Sequence, residues 1–285
     1  FAHGVHPGPE AVHVCYCHSP FRYVWHERDT AVAEMPAALR PVGGAVLAAI
    51  RRWDLKAATR VTNYVANSQI TRERIQELYG RDAPVIHPPV EIERFDGLAA
   101  EPEDWLLIVC ALMRHKRVDR ALEAARAAGK RVKVVGEGPE RERWEQEFGD
   151  VAEFLGRVDD QTLTGLYTRA AALVVPNVEE FGITAVEAQA AGRPVLALAE
   201  GGARETVLPG VTGELVQADE LAAALRDVDF ARFDPARAQA NAARFSTSAF
   251  QDALRAEVDR VAHLGSLTHG GVSAPARSGQ GENQG

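Results

Sequence analysis

Between residues 105 and 216 the chain alternates short apolar runs with amphipathic stretches, and few folds accept that pattern. The apolar runs lie in "WLLIVCAL", "RVKVVGEGPE", "VAEFLGRV", "AALVVPN", "PVLALA" and "GELV". Short apolar runs without polar alternation are strands covered on both faces. The stretches between them, such as "RVDRALEAARAAG", "DDQTLTGLYTRA" and "ITAVEAQAAG", carry the helical period. Strands alternating with helices predict a parallel, doubly wound sheet. Ligands of such sheets sit outside the carboxyl ends of the strands, so the residues after each run matter most.

Upstream, residues 1–90 read as strand–helix–strand–helix–strand. "VHVCYC" alternates and predicts a strand over 12–17, and "AVLAAIRRWDLKAATR" predicts a helix from about Val46. "VTNYVANS" is a buried strand ending in Asn67-Ser68, cap residues for the helix "QITRERIQELYG", which Gly80 stops. "APVIHPPV" predicts a further strand closed by Pro88-Pro89, and "DGLAAEPEDW" a polar linker. The expected organisation is a partial α/β unit over 1–95, a complete doubly wound domain over 105–235, terminal helices over 236–265 and a disordered Gly/Ser-rich tail over 266–285. The chain opens at Phe1 and reads as the middle of a protein, so the first domain is expected to lack its opening strands.

Composition narrows the function classes. A formal charge of -8 argues against general nucleic-acid binding, which needs clustered Lys and Arg. Three cysteines give no disulfide framework and predict a reducing, cytoplasmic setting. No apolar run reaches the length of a membrane span. His13, Cys15, Cys17 and His18 invite a metal reading. In a strand, however, His13, Cys15 and Cys17 point to one face and His18 to the other, so the four do not converge. No metal and no other cofactor is expected; Cys15 and Cys17 read as small buried apolar residues.

"PNVEEFGITAVEAQAAGRPV", residues 176–195, is the most informative stretch. A buried strand ends at Pro176, a loop carries Glu179 and Glu180, and a helix starts near Ile183-Thr184. The free amides and positive dipole end of that helix suit a phosphate group. Thr184 and Glu187, one turn apart, share a side. On spacing alone, an acid stabilising a helix start is an equal reading.

The whole string resembles retaining glycosyltransferases of the GT-B fold, family 4. Glu179, seven residues, then Glu187 surround Phe181-Gly182, followed by Ala-x-Ala-x-Gly-x-Pro-Val. "ALMRHKRVDRALEA" is similar to the family's strand–loop–helix with a diphosphate lysine, here Lys116. "VVGEGPE" and "FLGRVDD" match the strand ends where the base packs, which places Gly138 and Val158 there. "GGARETVLPGVTGELV" matches its Gly-rich return, with Gly201, Gly202 and Glu205. "YVANSQITRERI" and "VIHPPVEIERF" match the passage between domains. Together these span residues 10–255.

The resemblance implies two Rossmann-like domains and metal-independent hexosyl transfer with retention, from a nucleotide-sugar to a glycan or lipid-linked acceptor. In that view Glu179 meets the sugar hydroxyls, Glu187 the ribose, and the amides of Gly182, Ile183 and Thr184 the diphosphate. His18, at the end of the strand "VHVCYC", faces the donor sugar. Arg22, Tyr23 and Trp25 shape the acceptor side. Many members carry Arg where this chain has Ala111; Arg114 takes that role if its loop points inward, and is otherwise a solvated charge. The closest-looking members are bacterial mannosyltransferases of surface polysaccharide and glycolipid synthesis, so GDP-mannose is the donor expected first, with UDP-sugars open. Arg51, Arg52, Lys56 and Arg60 read first as a solvated helix face, and second as a contact with anionic lipid at the cytoplasmic membrane. A nucleotide-sugar epimerase and a nucleotide-binding fragment without turnover are the alternatives, with a metal-binding regulator behind them.

Overall fold

The structure is a computed structural model and describes residues 2–8 and 11–269. Two parallel sheets organise it. The smaller holds β1 (Val14–Cys17) and β2 (Asn63–Ala66), in register from Val14 opposite Asn63 to Cys17 opposite Ala66. Around it lie α1 (Arg28–Ala33), α2 (Arg40–Ala58) and α3 (Gln69–Tyr79). Ser68 caps α3 by accepting from the Thr71 amide, and Gly80 ends it in the left-handed region at φ 64°.

The larger sheet has six parallel strands. They are β3 (Trp105–Val109), β4 (Arg131–Val135), β5 (Ala152–Gly156), β6 (Ala172–Val175), β7 (Val195–Leu198) and β8 (Gly213–Val216). The helices of this unit are α4 (Val118–Ala128), α5 (Arg141–Phe148), α6 (Asp160–Arg169), α7 (Ile183–Ala190), α8 (Ala203–Thr206) and α9 (Leu221–Asp227). The chain closes with α10 (Pro235–Ala242) and α11 (Thr247–His269). The strand order is β5-β4-β3-β6-β7-β8. The order therefore reverses between β3 and β6, and a crevice must open above that pair.

Burial follows the apolar runs. β6 and β7 are buried along their whole length, as strands covered on both faces must be. One face of the sheet packs Leu107, Leu173 and Val195 against Tyr167, Val186 and Phe245. The other packs Leu106, Ile108 and Val174 against Leu122, Trp144 and Leu225. A third cluster holds Cys15, Cys17, Tyr64 and Ile75 in the smaller unit.

Two expected boundaries shift. Residues 83–90 form only two isolated bridges, Val85 with Ala66 and Val90 with Ser246, rather than a strand. Pro84, Pro88 and Pro89 have no amide to donate, so a ladder cannot extend there. The helix expected from Val46 starts at Arg40, with Pro41 in its first turn, where a missing amide costs nothing. The last helix runs to His269, past Gly265; the rest of the expected tail, residues 270–285, lies outside the described residues.

The smaller unit has a polar anchor. Asp54 of α2 is 1% exposed and accepts from Trp25 Nε1 at 2.8 Å and Tyr79 Oη at 2.8 Å, with His3 Nε2 at 2.9 Å. Burial pushes the Asp54 carboxyl up, but the bonds from His3, Trp25 and Tyr79 outweigh it and hold it below its usual range. A carboxyl depressed on folding stabilises above its unfolded pKa, and that contribution is lost as pH falls through the folded value. Asp54→Ala is expected to cost about 3 kcal/mol, because it strands buried donors. Urea unfolding at neutral pH measures this, and the gap between wild type and variant should narrow as the medium is acidified below the ordinary aspartate range.

Candidate active site at the reversal of strand order

The loops after β3 and β6 meet at the crevice. The β3 loop forms a 3₁₀ turn at Arg114–Lys116 and reverses at Arg117, which takes a left-handed φ of 53°. This brings Lys116 Nζ to 2.5 Å from Glu179 Oε1, on the loop after β6. Asn177 Nδ2 donates to the same oxygen at 2.8 Å. Asn177 is 5% exposed, so its amide is a fixed prop under Glu179. Sequence reasoning had Lys116 and Glu179 but missed Asn177, whose only signal is its place two residues before the glutamate.

Gly182 then turns the chain at φ 88° and starts α7. Few residues other than glycine take that conformation. Gly182, Ile183 and Thr184 all line a cleft of about 400 Å³ together with Lys116 and Glu179. The free amides of α7 therefore open onto the cleft. The opposite wall comes from the smaller unit: His18, Ser19, Arg22, Asn67 and Pro88. His18 is exposed at the end of β1, its ring edge-on to Tyr16 at 5.2 Å. The histidine and the glutamate expected to face each other thus line one cavity.

Other expected residues lie elsewhere. Arg114 is exposed and absent from the cleft lining, whereas Ala111 and Arg22 are in it. The arginine at the cleft is Arg22, which comes from the other unit. Gly138 sits against the β3 loop, where an added Cβ would lie 2.3 Å from the Leu112 carbonyl oxygen. Val158 packs on the larger unit's core. Neither lines the Lys116–Glu179 cleft. Glu187 lies one turn beyond Thr184 and is also outside that lining. Its Oε1 accepts from Arg94 Nη2 at 2.6 Å and its Oε2 from Tyr167 Oη at 2.7 Å. Burial raises the Glu187 carboxyl above its usual range, and Tyr167 and Arg94 work against that rise.

Contacts around the Glu179 loop and the neighbouring α8 hold this region in place. Glu180 pairs with Arg74 of α3 at 3.1 Å. Burial would raise the Glu180 carboxyl, but Arg74 wins and leaves it lowered. Gly202 donates its amide to the Glu179 carbonyl at 2.8 Å, and an added Cβ there would lie 2.3 Å from Phe181 Cα. Glu205 of α8 accepts the Gln69 amide of α3 with both oxygens, at 2.8 and 2.9 Å, and meets His87 Nε2 at 2.9 Å.

The cysteines are packing residues. Burial pushes Cys17 up to about 12 and raises Cys15. Cys110 touches the cleft, and burial also pushes it up to about 12, against the pull of Lys116. Among the described residues no group of three His, Cys, Asp or Glu side chains is arranged to hold a metal ion. The basic helix α2 exposes Arg51, Arg52 and Lys56. Arg51 lies over the Trp25 ring at 4.2 Å, and Arg60 donates to the Gly4 carbonyl.

Comparison with known proteins places this geometry. The family described as "Glycosyl transferases group 1" matches residues 89–244, more than half the chain. The D-inositol 3-phosphate glycosyltransferase of Mycolicibacterium smegmatis is 32% identical over 69% of this chain and 52% of its own length. The GDP-mannose-dependent alpha-(1-6)-phosphatidylinositol monomannoside mannosyltransferase of the same organism is 32% identical over 61% and 53%. The chain spans about half the length of these curated relatives. Among solved structures, Anabaena Alr3699/HepE in complex with UDP-glucose superposes with a TM-score of 0.66 at 19% identity, over 87% of this chain and 72% of that one. The lipopolysaccharide outer core galactosyltransferase WaaB superposes with a TM-score of 0.62 at 18% identity, over 72% and 64%. The fold is the GT-B arrangement expected from the sequence. By the family match over residues 89–244, this chain belongs to the glycosyl transferases of group 1.

Proposed function

We propose that the protein transfers a hexose from a nucleotide-sugar to a glycan or lipid-linked acceptor, with retention of configuration and without a metal ion. The observation that carries this reading is the meeting of Lys116 and Glu179 at the crevice, beside the free amides of α7. Cleaving a sugar–diphosphate bond leaves negative charge on phosphate oxygens and positive character on the anomeric carbon. Cations and amide dipoles fixed in advance at the phosphate end lower that barrier. Lys116 and the Gly182–Thr184 amides fill this role, and Arg22 adds a cation from the opposite wall. Glu179, steadied by Asn177, and His18 flank the sugar. Glu187 takes the ribose hydroxyls, since a carboxylate oxygen with one donor still has a free lone pair. Gly138 and Val158 belong to the base side of the nucleotide in this reading, and Arg114 has no place at the diphosphate.

GDP-mannose is the donor to test first, supported by the mannosyltransferase relative. UDP-sugars come next, supported by the UDP-glucose complex of the structural neighbour. Acceptors of cell-surface polysaccharide or glycolipid synthesis at the cytoplasmic membrane fit the same reading, with α2 presenting Arg52 and Lys56 towards the lipid surface. No helix among the described residues is long and apolar enough to cross a membrane.

Heat unfolding with a panel of nucleotide-sugars tests the donor. A ligand at 100 times its Kd stabilises by about 2.7 kcal/mol, which a melting curve resolves. GDP-mannose is expected to raise the midpoint most, and no response to any nucleotide-sugar would overturn the reading. Glu179→Ala is expected to lower turnover in the full-length enzyme by orders of magnitude, with near-normal turnover counting against it. Glu187→Ala should chiefly weaken nucleotide binding, which calorimetry with GDP and UDP reads directly.

A further inference from the structure

Glu187 sits in a closed group of four side chains drawn from three segments. Arg94 and Phe95 come from the 3₁₀ turn Ile92–Phe95, in the passage between the two sheets, and Tyr167 comes from α6. Arg94 and Tyr167 each donate to a different oxygen of the carboxylate, at 2.6 and 2.7 Å. Phe95 ties the two donors together. The Arg94 guanidinium lies 4.8 Å over its ring, and its edge meets the Tyr167 ring at 5.8 Å. Tyr167 is fully buried, and the ring beneath Arg94, Phe95, is 2% exposed, so both donors rest on fixed neighbours.

We propose that Arg94 and Tyr167 are positioning residues for nucleotide binding: they hold the Glu187 carboxylate ionised and aimed at the ribose, and they do so from the segment that joins the two units. This rests on the ribose role assigned above to Glu187 and deepens it.

The physical case is a competition. Burial penalises the carboxylate form of Glu187, and the two donors are what opposes it. The other charged groups facing Glu187 are Asp160, at the start of α6, and Glu91, just before the Arg94 turn; both are anionic and push the same way as burial. Across α7, the facing helix α10 presents Asn241, an amide bonded to Gln189. Among the four side chains of the group, Arg94 is the cation. A protonated Glu187 has an occupied lone pair and one fewer acceptor for a ribose hydroxyl. Removing Arg94 raises the carboxyl further, so the ionised form is lost at higher pH than in the wild type. The acid limb of nucleotide affinity must then move upward in pH.

Calorimetry of the whole chain with GDP and with UDP, from acid to neutral pH, tests this in Arg94→Gln, Arg94→Lys, Tyr167→Phe and Glu187→Gln. Arg94→Gln is expected to weaken the nucleoside diphosphate by about tenfold at neutral pH, the size of one charge-assisted hydrogen bond, and to shift the acid limb upward. Arg94→Lys keeps the charge and should restore the limb while recovering part of the affinity. It also serves if the Gln variant fails to fold. Tyr167→Phe should shift the limb upward as well, since its hydrogen bond stands first among the influences that oppose burial. A merely structural role for Arg94 would lower the melting temperature and leave the pH profile where it was. Unchanged affinity and pH profile in Arg94→Gln and Tyr167→Phe, beside a weakened Glu187→Gln, overturns the positioning role alone. Unchanged affinity in Glu187→Gln overturns the ribose assignment, and the positioning role with it.

Discussion

Everything at this site depends on the reversal of strand order between β3 and β6. On one side of that line the chain winds outward through β4 and β5, on the other through β7 and β8. Helices therefore leave the β3 and β6 ends on opposite faces, and the two loops are left alone above the gap. Lys116 and Glu179 are 63 residues apart in the chain, yet their side chains touch because each follows one strand of this central pair. No local preference could bring them together; the handedness of the crossovers does.

The second requirement is that the Glu179 loop keep its shape while carrying charge. Its supports come from outside its own helix. Asn177 steadies the carboxylate from within the loop, Gly201-Gly202 press on its backbone, and Arg74 neutralises Glu180 from the smaller unit. An acidic pair at consecutive positions would otherwise be destabilised by self-repulsion. Lys116 and Arg74 relieve it separately, one from each unit.

Much of this was legible in the sequence, for a physical reason. Burial on both faces writes itself into uninterrupted apolar runs, so all six strands of the larger sheet were readable, and with them the loops that follow. Glu179 and Gly182 stand after one of those strands and were read there; Lys116, after another, was marked by the family resemblance. The misses have the opposite character. Arg94 and Asn177 sit in stretches with no periodic signal, Arg74 sits on a helix whose pattern marks no partner, and what matters is which partner each reaches. Partner choice between remote segments depends on the finished fold. Arg114 was open between two readings for the same reason in reverse: a loop cation two residues from Lys116 has no sequence mark for inward or outward, and the structure leaves it exposed. The strand expected at 83–90 failed more simply, because apolar pattern outweighed the amides its prolines lack.

Glu205 has a wider meaning than its place on a short helix conveys. It receives the first amide of α3, a helix of the other sheet, and takes His87 on the same carboxylate. One unit thus supplies the cap of the other unit's helix, a part that helices elsewhere find in their own chain neighbourhood, as α3 also does in Ser68. One half of the molecule is in this sense grammatically dependent on the other, its helix start completed by a word from it. A swing that widens the cleft must return that amide to water and give up a cap worth about 1 kcal/mol. That is a small toll beside thermal energy multiplied over many contacts, and of a size that binding at the cleft can readily overcome.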